Sequence, residues 1–408
     1  MVPSSRRAPR GAALLAAAAF ALVACAGPAE TEPTAPPAHD VDAGGAAEVA
    51  APARALVVAG EHSALTLVDL DTEERTVLDG ADALEDAPVQ SVFGDGRRVY
   101  VARAAGARTA VEIIDTGRWT VPHGDHTHSF LADPRQVGTV DGEGRADVRS
   151  GDSRTIVRFD GTGPVLLEAD ALAGESFEAP DPLAGAESAR LAQPFADHLL
   201  VATDASSLEI RAADGTPTPA EPVACAEPAD VDLTRVGAVF SCAEGAVLFT
   251  REVGGALAVE SIPLPAAAAP PRDLSGRADR PDLAGVAGEQ GAWLLDVRQR
   301  EWMLLPTDVP LLRVAAIGDD AGRTVAIDLD GCVRVLGSDG AVLARTEPLL
   351  AASVTDSALR ERVHLAVDAH HAYVTDPATG AVHEIAHDDG RVTRTFPDLD
   401  PWFLQQVG

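Results

Sequence analysis

Short runs of apolar or alternating residues, each interrupted by Gly, Asp or Pro, follow one another from Ala55 to the end of the chain. Alternation with a period of two is typical of β-strands, whereas sustained helical periodicity is scarce here. The runs recur as a unit: a Gly or Asp turn, a strand, a second strand that ends in Asp, and a Gly turn. Gly94–Ala102 followed by Val111–Gly117 is one example, and Ala372–Ile385 is another. The pattern therefore predicts an all-β protein.

The spacing of these units predicts the architecture. About eight units occur at intervals of roughly 40–45 residues, which is the period of four-stranded propeller blades. A single blade cannot bury both of its faces, and closing the ring removes the exposed strand edges. A two-sheet sandwich would need far fewer strands. We therefore predict that residues 54–408 form a single β-propeller of seven or eight four-stranded blades, with seven if the first and last units share a blade.

The N-terminus has the pattern of a secretion signal. Arg6, Arg7 and Arg10 precede the apolar run Gly11–Val23, which is shorter than the ~20 apolar residues of a membrane-spanning helix. The run ends in Leu-Val-Ala-Cys, which resembles a bacterial lipobox. We predict that residues 1–24 are a lipoprotein signal peptide and that Cys25 is lipid-modified. Ordinary secretion, with cleavage at a small-residue site, is the alternative.

The segment after Cys25 is predicted to be a tether. Residues 25–53 are rich in Ala, Pro and acidic residues and contain no aromatic residue, so they cannot bury enough apolar surface to offset the entropy of ordering. The expected location is extracytoplasmic, with a lipid anchor on the outer face of the cell membrane as the only membrane contact. The formal net charge of −31 argues against nucleic acid as a partner and suits divalent cations or basic partners.

The cysteines fit an oxidising compartment. Cys225 and Cys242 lie close in sequence, and outside the cytoplasm they are candidates for a disulfide. Cys332 is then unpaired, and the alternation around it predicts a buried strand residue.

The segment Val121–Phe130 contains three of the 11 histidines of the chain. Its candidate metal ligands are His123, Asp125, His126 and His128. Neutral imidazoles and a carboxylate are common zinc ligands, and strand alternation places His126 and His128 on one face. A turn at Gly124 could bring His123 or Asp125 to the same point. The alternative is a polar loop whose histidines face water.

Other histidines offer weaker candidates. Val363–Val367 is predicted to be the inner strand of a blade, so His364 is either a ligand in the central channel or a buried core histidine. A second group occupies the last unit and consists of His370, His371, His383 and His387. These four are either an exposed second metal site or, the favoured interpretation, solvated surface residues.

The sequence gives no indication of an enzyme. It contains no Gly-x-Ser-x-Gly elbow, phosphate-binding loop or Cys-x-x-Cys-His haem attachment sequence. The run His383–His387 does read His-Glu-x-x-His, but it lies in a predicted strand and not in the helix that a zinc protease needs. No pair of residues is marked as general acid and base, so we predict a non-enzymatic protein.

The segment Trp119–His128, the tethered secretion signal, the propeller-like repeats and the paired cysteines together resemble the AztD zinc metallochaperones. This resemblance implies an extracytoplasmic β-propeller that binds Zn²⁺ and delivers it to the solute-binding protein of an ABC zinc importer. It also implies a metal-binding role for His123, Asp125, His126 and His128.

Two features depart from that family. Relatives often have a histidine-rich, flexible N-terminal segment, whereas the predicted tether here contains only His39. The family usually has a His-Gly-Glu-like segment between the paired cysteines, whereas Pro228–Thr234 contains no histidine here. Asp230 and Asp232 are the candidate carboxylate ligands for the metal in its place, and the alternative is that the site has lost a ligand. Two other functions remain as alternatives: a non-catalytic interaction scaffold at the cell surface, and a metal-dependent propeller hydrolase that acts on lactones or esters.

Overall fold

A computed structural model describes residues 45–60, 65–78, 84, 87–123, 126–174, 176–266 and 268–408. The compact unit to which they belong spans Ala43–Gly408. The predicted signal peptide, Cys25 and most of the predicted tether lie outside the described residues. Within the described part of the chain, no helix is long and apolar enough to cross a membrane.

Strands dominate the structure, as the alternating pattern predicts. In the first part of the chain they are β1 (Ala47–Val49), β2 (Ala55–Ala59), β3 (Leu65–Asp69), β4 (Arg75–Leu78), β5 (Val89–Gly94), β6 (Arg98–Ala105), β7 (Arg108–Asp115), β8 (Arg118–His123), β9 (His126–Leu131) and β10 (Arg135–Glu143). In the middle they are β11 (Ala146–Ser150), β12 (Arg154–Phe159), β13 (Gly163–Glu168), β14 (Leu191–Phe195), β15 (His198–Ala202), β16 (Ser207–Ala212), β17 (Val223–Ala224), β18 (Asp230–Leu233), β19 (Ala238–Cys242), β20 (Gly245–Arg251) and β21 (Leu257–Pro263).

The last part of the chain continues the same pattern. Its strands are β22 (Asp282–Val286), β23 (Gly291–Asp296), β24 (Glu301–Pro306), β25 (Leu311–Ala316), β26 (Thr324–Asp328), β27 (Val333–Leu336), β28 (Val342–Arg345), β29 (Leu365–Val367), β30 (His371–Asp376), β31 (Ala381–Ala386), β32 (Val392–Phe396) and β33 (Phe403–Val407). The helices are short connections: α1 (Ala169–Ala173), a 3-10 turn at Gly288–Gln290, α2 (Ala351–Thr355) and α3 (Ser357–Arg360).

Within the described residues the strands form nine small antiparallel sheets. In chain order the sheets are β1-β9-β8, β33-β2-β3-β4, β10-β7-β6-β5, β11-β12-β13, β14-β15-β16-β17, β18-β19-β20-β21, β22-β23-β24, β25-β26-β27-β28 and β29-β30-β31-β32. Strand β33 pairs with β2, with Ala55 opposite Val407, so the two ends of the described chain share one sheet. This is the all-β arrangement of repeated small sheets that the sequence predicts.

The sheets pack face to face with their neighbours along the chain. Strand β2 is buried on both faces, and its alternate residues enter two different cores. Val57 packs in a cluster with Val99 of β6, whereas Leu56 packs with Tyr373 of β30 and Val382 of β31. A buried Val or Leu contributes about 1.5–3 kcal/mol, so each sheet depends on both neighbours for its stability. The edge strands of neighbouring sheets also touch, as β33 does with β5 and with β29.

The hairpin β8–β9 leaves this repeated pattern. Strands β7 and β10 pair directly with each other, and the hairpin is inserted between them in sequence. Trp119 of β8 stacks on Phe130 of β9 with 5.2 Å between ring centroids, and the Arg97 guanidinium lies 3.6 Å over the Trp119 ring. Arg118 forms a 2.8 Å ion pair with Asp69. These contacts hold the base of the hairpin against the β6 and β3 sheets.

The predicted disulfide and the burial of the unpaired cysteine are confirmed, but the prediction that Cys332 lies in a strand is wrong. Cys225 and Cys242 form a disulfide, and both are buried. Cys332 is a free, buried cysteine directly before β27, and Arg345 Nη2 donates a 3.1 Å hydrogen bond to its sulfur.

Candidate metal centre

The histidine-rich segment is the tip of the β8–β9 hairpin. His123 ends β8 and pairs directly with His126, the first residue of β9. Gly124 and Asp125, which lie between these two residues in sequence, and the His123 side chain lie outside what the structure describes. The backbone register alone therefore brings two of the predicted ligand positions opposite each other at the tip.

His126 and His128 lie side by side on one face of β9, as the alternation predicts. Their Nε2 atoms are 3.0 Å apart, and their ring centroids are 4.8 Å apart. Two imidazoles bound to one tetrahedral zinc, at Zn–N distances of about 2.0–2.1 Å, have their nitrogens separated by about 3.3 Å. The observed separation is close to that value. The His126 side chain is exposed, so the pair is reachable from solvent.

A carboxylate also contacts this pair, and it comes from a part of the chain far from the histidines in sequence. Glu48 Oε1 lies 2.6 Å from Nδ1 of His128. Glu48 belongs to β1, which pairs with β9. Strand β1 lies within residues 25–53, the segment that the sequence predicts to be a tether. Sequence analysis missed this residue because a single Glu in an Ala-rich, acidic stretch carries no local signal.

A full coordination shell is not visible in the described residues. Among them, no group of three or more His, Cys, Asp or Glu side chains is arranged to hold a metal ion. The side chains of the predicted ligands His123 and Asp125 lie outside the described residues. The described half of the site is the pair His126 and His128 with Glu48.

His364 does not join this group. It directly precedes β29, and its ring lies 5.8 Å from that of Phe403. Burial, with the positive charge of Arg313, lowers the pKa of His364 to about 4. The His364 side chain is half-buried beside Phe403, and this environment is that of a neutral histidine. Its role as a metal ligand stays a prediction.

Asp230 and Asp232 lie on β18 and take part in internal contacts. Asp230 accepts hydrogen bonds from Arg149 Nη2 at 2.9 Å and from the backbone N–H of Leu274 at 3.0 Å. Burial raises the pKa of Asp232 to about 7, and the negative charge of Asp230 adds to the effect. Arg149, on β11, therefore links two sheets through Asp230. Neither aspartate lies in a described metal-binding group.

The histidines of the last sheet divide into two kinds. His370 is exposed, and the ring nitrogens of His371 lie 3.9 Å from carboxylate oxygens of Asp368 and Glu384. His383 and His387 are only 7% and 2% exposed, so the expectation that they are solvated surface residues is wrong. His383 lies in β31, which is between β30 and β32 and is covered on both faces. His387 directly follows β31, and its backbone N–H donates a 3.0 Å hydrogen bond to the carbonyl of His370.

Known proteins resemble this chain in structure rather than in sequence. No protein family model matches the sequence, and no curated protein matches it. The crystal structure of AztD from Citrobacter koseri superimposes with a TM-score of 0.70, at 15% identity, over 88% of this chain and 98% of AztD. The fold resembles that of AztD. The apo form of AztD from the same organism gives a TM-score of 0.69, at 14% identity, over 88% of this chain and 99% of AztD.

A second solved structure is a more distant match. The dihydro-heme d1 dehydrogenase NirN in complex with DHE has a TM-score of 0.52, at 17% identity, over 87% of this chain and 75% of NirN. At such low identities the likeness concerns the fold alone. The resemblance to AztD that the sequence motifs indicate is thus confirmed at the level of architecture.

Proposed function

We propose that this protein is a zinc-binding metallochaperone that acts outside the cytoplasm and delivers Zn²⁺ to the solute-binding protein of an ABC zinc importer. The observation that carries the proposal is the pair of Nε2 atoms of His126 and His128, 3.0 Å apart on an exposed hairpin. The AztD-like fold supports the same function.

The remaining ligands are proposed to be His123 and Asp125 at the tip of the hairpin. His123 pairs with His126 through the backbone, which keeps its position close to the imidazole pair. The family resemblance also favours these two residues. Imidazole and carboxylate are the donor types that zinc accepts in such sites.

Delivery makes a kinetic demand on the site. Zinc must be held against loss to solvent, yet incoming ligands of the partner protein must reach it. A site on an exposed hairpin tip meets this demand, because a partner can add a ligand before the first donor leaves. Zinc then passes by ligand exchange without release to bulk water. The large negative charge of the chain also favours cations in its surroundings.

The proposed architecture is a β-propeller of eight blades. Among the described residues, the sheets other than β1-β9-β8 provide the eight blades, and the pairing of β33 with β2 would close the ring. Residues 54–408 are its single domain. An experimental structure with seven sheets around the axis would contradict this number.

The proposed location follows from the N-terminal sequence. Cleavage after residue 24 would leave Cys25 as a lipidated first residue, and residues 25–53 would connect it to the propeller. A Cys25→Ser variant should move from the membrane fraction to the soluble fraction. Retention in the membrane fraction would contradict the lipid anchor.

Calorimetric titration of the purified mature protein with Zn²⁺ tests the function. We expect one high-affinity site per chain in the wild type and loss of that site in the double variant His126→Ala/His128→Ala. The matched control is His370→Ala/His371→Ala, which removes another pair of neighbouring histidines and should leave the affinity unchanged. Unchanged binding in the first double variant, or no binding in the wild type, would overturn the proposal.

Transfer is measured separately. The zinc-loaded protein is mixed with the metal-free solute-binding protein, and the zinc content of each is determined after separation. Transfer faster than spontaneous zinc release supports direct delivery. A transfer rate equal to the release rate would leave a zinc-storage protein rather than a chaperone.

A further inference from the structure

We propose that Glu48 is a positioning residue of the metal centre, so that the segment leading into the propeller forms part of the site. This inference rests on the proposed zinc-binding function of the hairpin. It adds a residue that lies far from the histidine cluster in the sequence and that belongs to no metal-binding motif.

The β-sheet register places Glu48 on the correct face. In the β1–β9 pair, Glu48 lies opposite Phe130. Residues 126, 128 and 130 share one face of β9 because side chains alternate along a strand. Glu48 is therefore the diagonal cross-strand neighbour of His128, and such neighbours are within reach of long side chains. The 2.6 Å contact between Oε1 and Nδ1 is consistent with this register.

The contact determines which nitrogen of His128 is available. An ionised carboxylate only accepts hydrogen bonds, so Nδ1 of His128 must carry the proton that it donates. A neutral imidazole has a single N–H, and its lone pair then lies on Nε2. That is the atom 3.0 Å from Nε2 of His126. Glu48 thus selects the tautomer in which His128 directs its lone pair toward the second imidazole.

The aromatic neighbours limit the rotation of the same ring. His128 stacks at 6.5 Å on Phe130, which in turn stacks on Trp119. With stacking on one side and the Glu48 carboxylate at Nδ1, the orientation of the imidazole is defined before metal arrives. A carboxylate on the outer nitrogen of a histidine ligand also strengthens that ligand, and its loss typically weakens metal binding 10–100-fold. The Glu48 side chain is 60% exposed, so we expect an effect of about tenfold, at the lower end of this range.

The test compares zinc affinity in three variants by competition with a chelating dye. Glu48→Ala should bind zinc about tenfold more weakly than the wild type. Glu48→Gln should lose about threefold, because the amide oxygen still accepts the Nδ1 proton but carries no charge. The control is Glu301→Ala, which removes an exposed glutamate from the edge strand β24 and should bind as the wild type does.

A second measurement separates positioning from a general structural effect. Long-range ¹H–¹⁵N spectra of the metal-free protein report the imidazole tautomer. The wild type should show His128 protonated on Nδ1, and Glu48→Ala should show a mixture of tautomers with an unchanged melting temperature. Wild-type affinity and an unchanged tautomer in Glu48→Ala would overturn this inference while zinc binding itself stands. Absence of zinc binding in the wild type would instead overturn the proposed function.

Discussion

Two groups of histidines in this protein combine imidazole and carboxylate in opposite surroundings. On the hairpin, His126 and His128 meet Glu48 at an exposed surface. In the sheet β29-β30-β31-β32, His383 lies 3.5 Å from Asp376, and both side chains are buried. The residue types are similar, and only burial and hydrogen bonding distinguish the two groups.

The buried carboxylates already have hydrogen-bond partners. Asp376 accepts 2.5 Å hydrogen bonds from the hydroxyl groups of Ser353 and Thr379. Burial raises the pKa of Asp376, but the hydrogen bonds from His383, Ser353 and Thr379 outweigh it and hold this pKa below its usual value. These oxygen atoms hold helix α2 and the β30–β31 turn in place. A nearby histidine and carboxylate therefore do not by themselves identify a metal site.

The largest expected effect is a loss of stability when the buried carboxylate of Asp376 is removed. Asp376→Ala removes the acceptor of the Ser353 and Thr379 hydroxyl groups and the carboxylate that lies 3.5 Å from His383 Nε2. We expect the free energy of unfolding to fall by about 4 kcal/mol, measured by urea denaturation, with no change in zinc affinity. The exposed aspartate variant Asp152→Ala is the control and should change stability by less than about 0.5 kcal/mol. A loss below 1 kcal/mol in Asp376→Ala would show that the buried group is not a structural network.

Much of the sheet containing this network could be predicted from the sequence, because strands and turns have local signals. Alternation and the Asp-Pro-Ala-Thr-Gly turn predict both β30 and β31 where the structure has them. The burial of His383 and His387 could not be predicted in the same way. A period of two places them on one face, but only the folded structure shows that water is excluded there. His383 is covered because β31 lies between two strands, and His387 is buried directly after that strand.

The metal centre also has one feature that could be predicted from the local sequence and one that could not. The pairing of His126 with His128 follows from alternation along β9, which is a local property. The contact of Glu48 with His128 spans 80 residues and depends on the addition of β1 to the edge of the hairpin. Since nothing in Ala47–Val49 distinguishes it from the surrounding Ala-rich sequence, this ligand environment could be found only in the folded structure.

A change of pH should have an intermediate effect on the free energy of unfolding, through His387. Burial lowers the pKa of His387 to about 4, outweighing the attraction of the Asp368 carboxylate. The unfolded chain takes up a proton at this histidine near pH 6.5, whereas the folded protein does not until about pH 4. Stability contributed by the neutral ring is therefore present above pH 6.5 and decreases as the pH falls toward 4.

The measurement is the free energy of unfolding between pH 7 and pH 5. The contribution of His387 should fall by about 2 kcal/mol over this interval, and His387→Gln should flatten the pH dependence by that amount. The comparison concerns slopes, so a general loss of stability in the variant does not disturb it. Parallel slopes for the wild type and His387→Gln would contradict a neutral buried histidine at this position.

The smallest effect on stability is expected from the hairpin itself. His126→Ala removes an exposed side chain, so the metal-free protein should change its free energy of unfolding by less than about 0.5 kcal/mol. Zinc at 100 times its dissociation constant should stabilise the wild type by about 2.7 kcal/mol and should stabilise the variant much less. Urea unfolding with and without zinc measures both quantities. A loss above 1 kcal/mol without metal would mean that the imidazole pair also supports the fold. The contrast between an exposed imidazole pair and a buried structural network would then no longer separate the two groups of histidines.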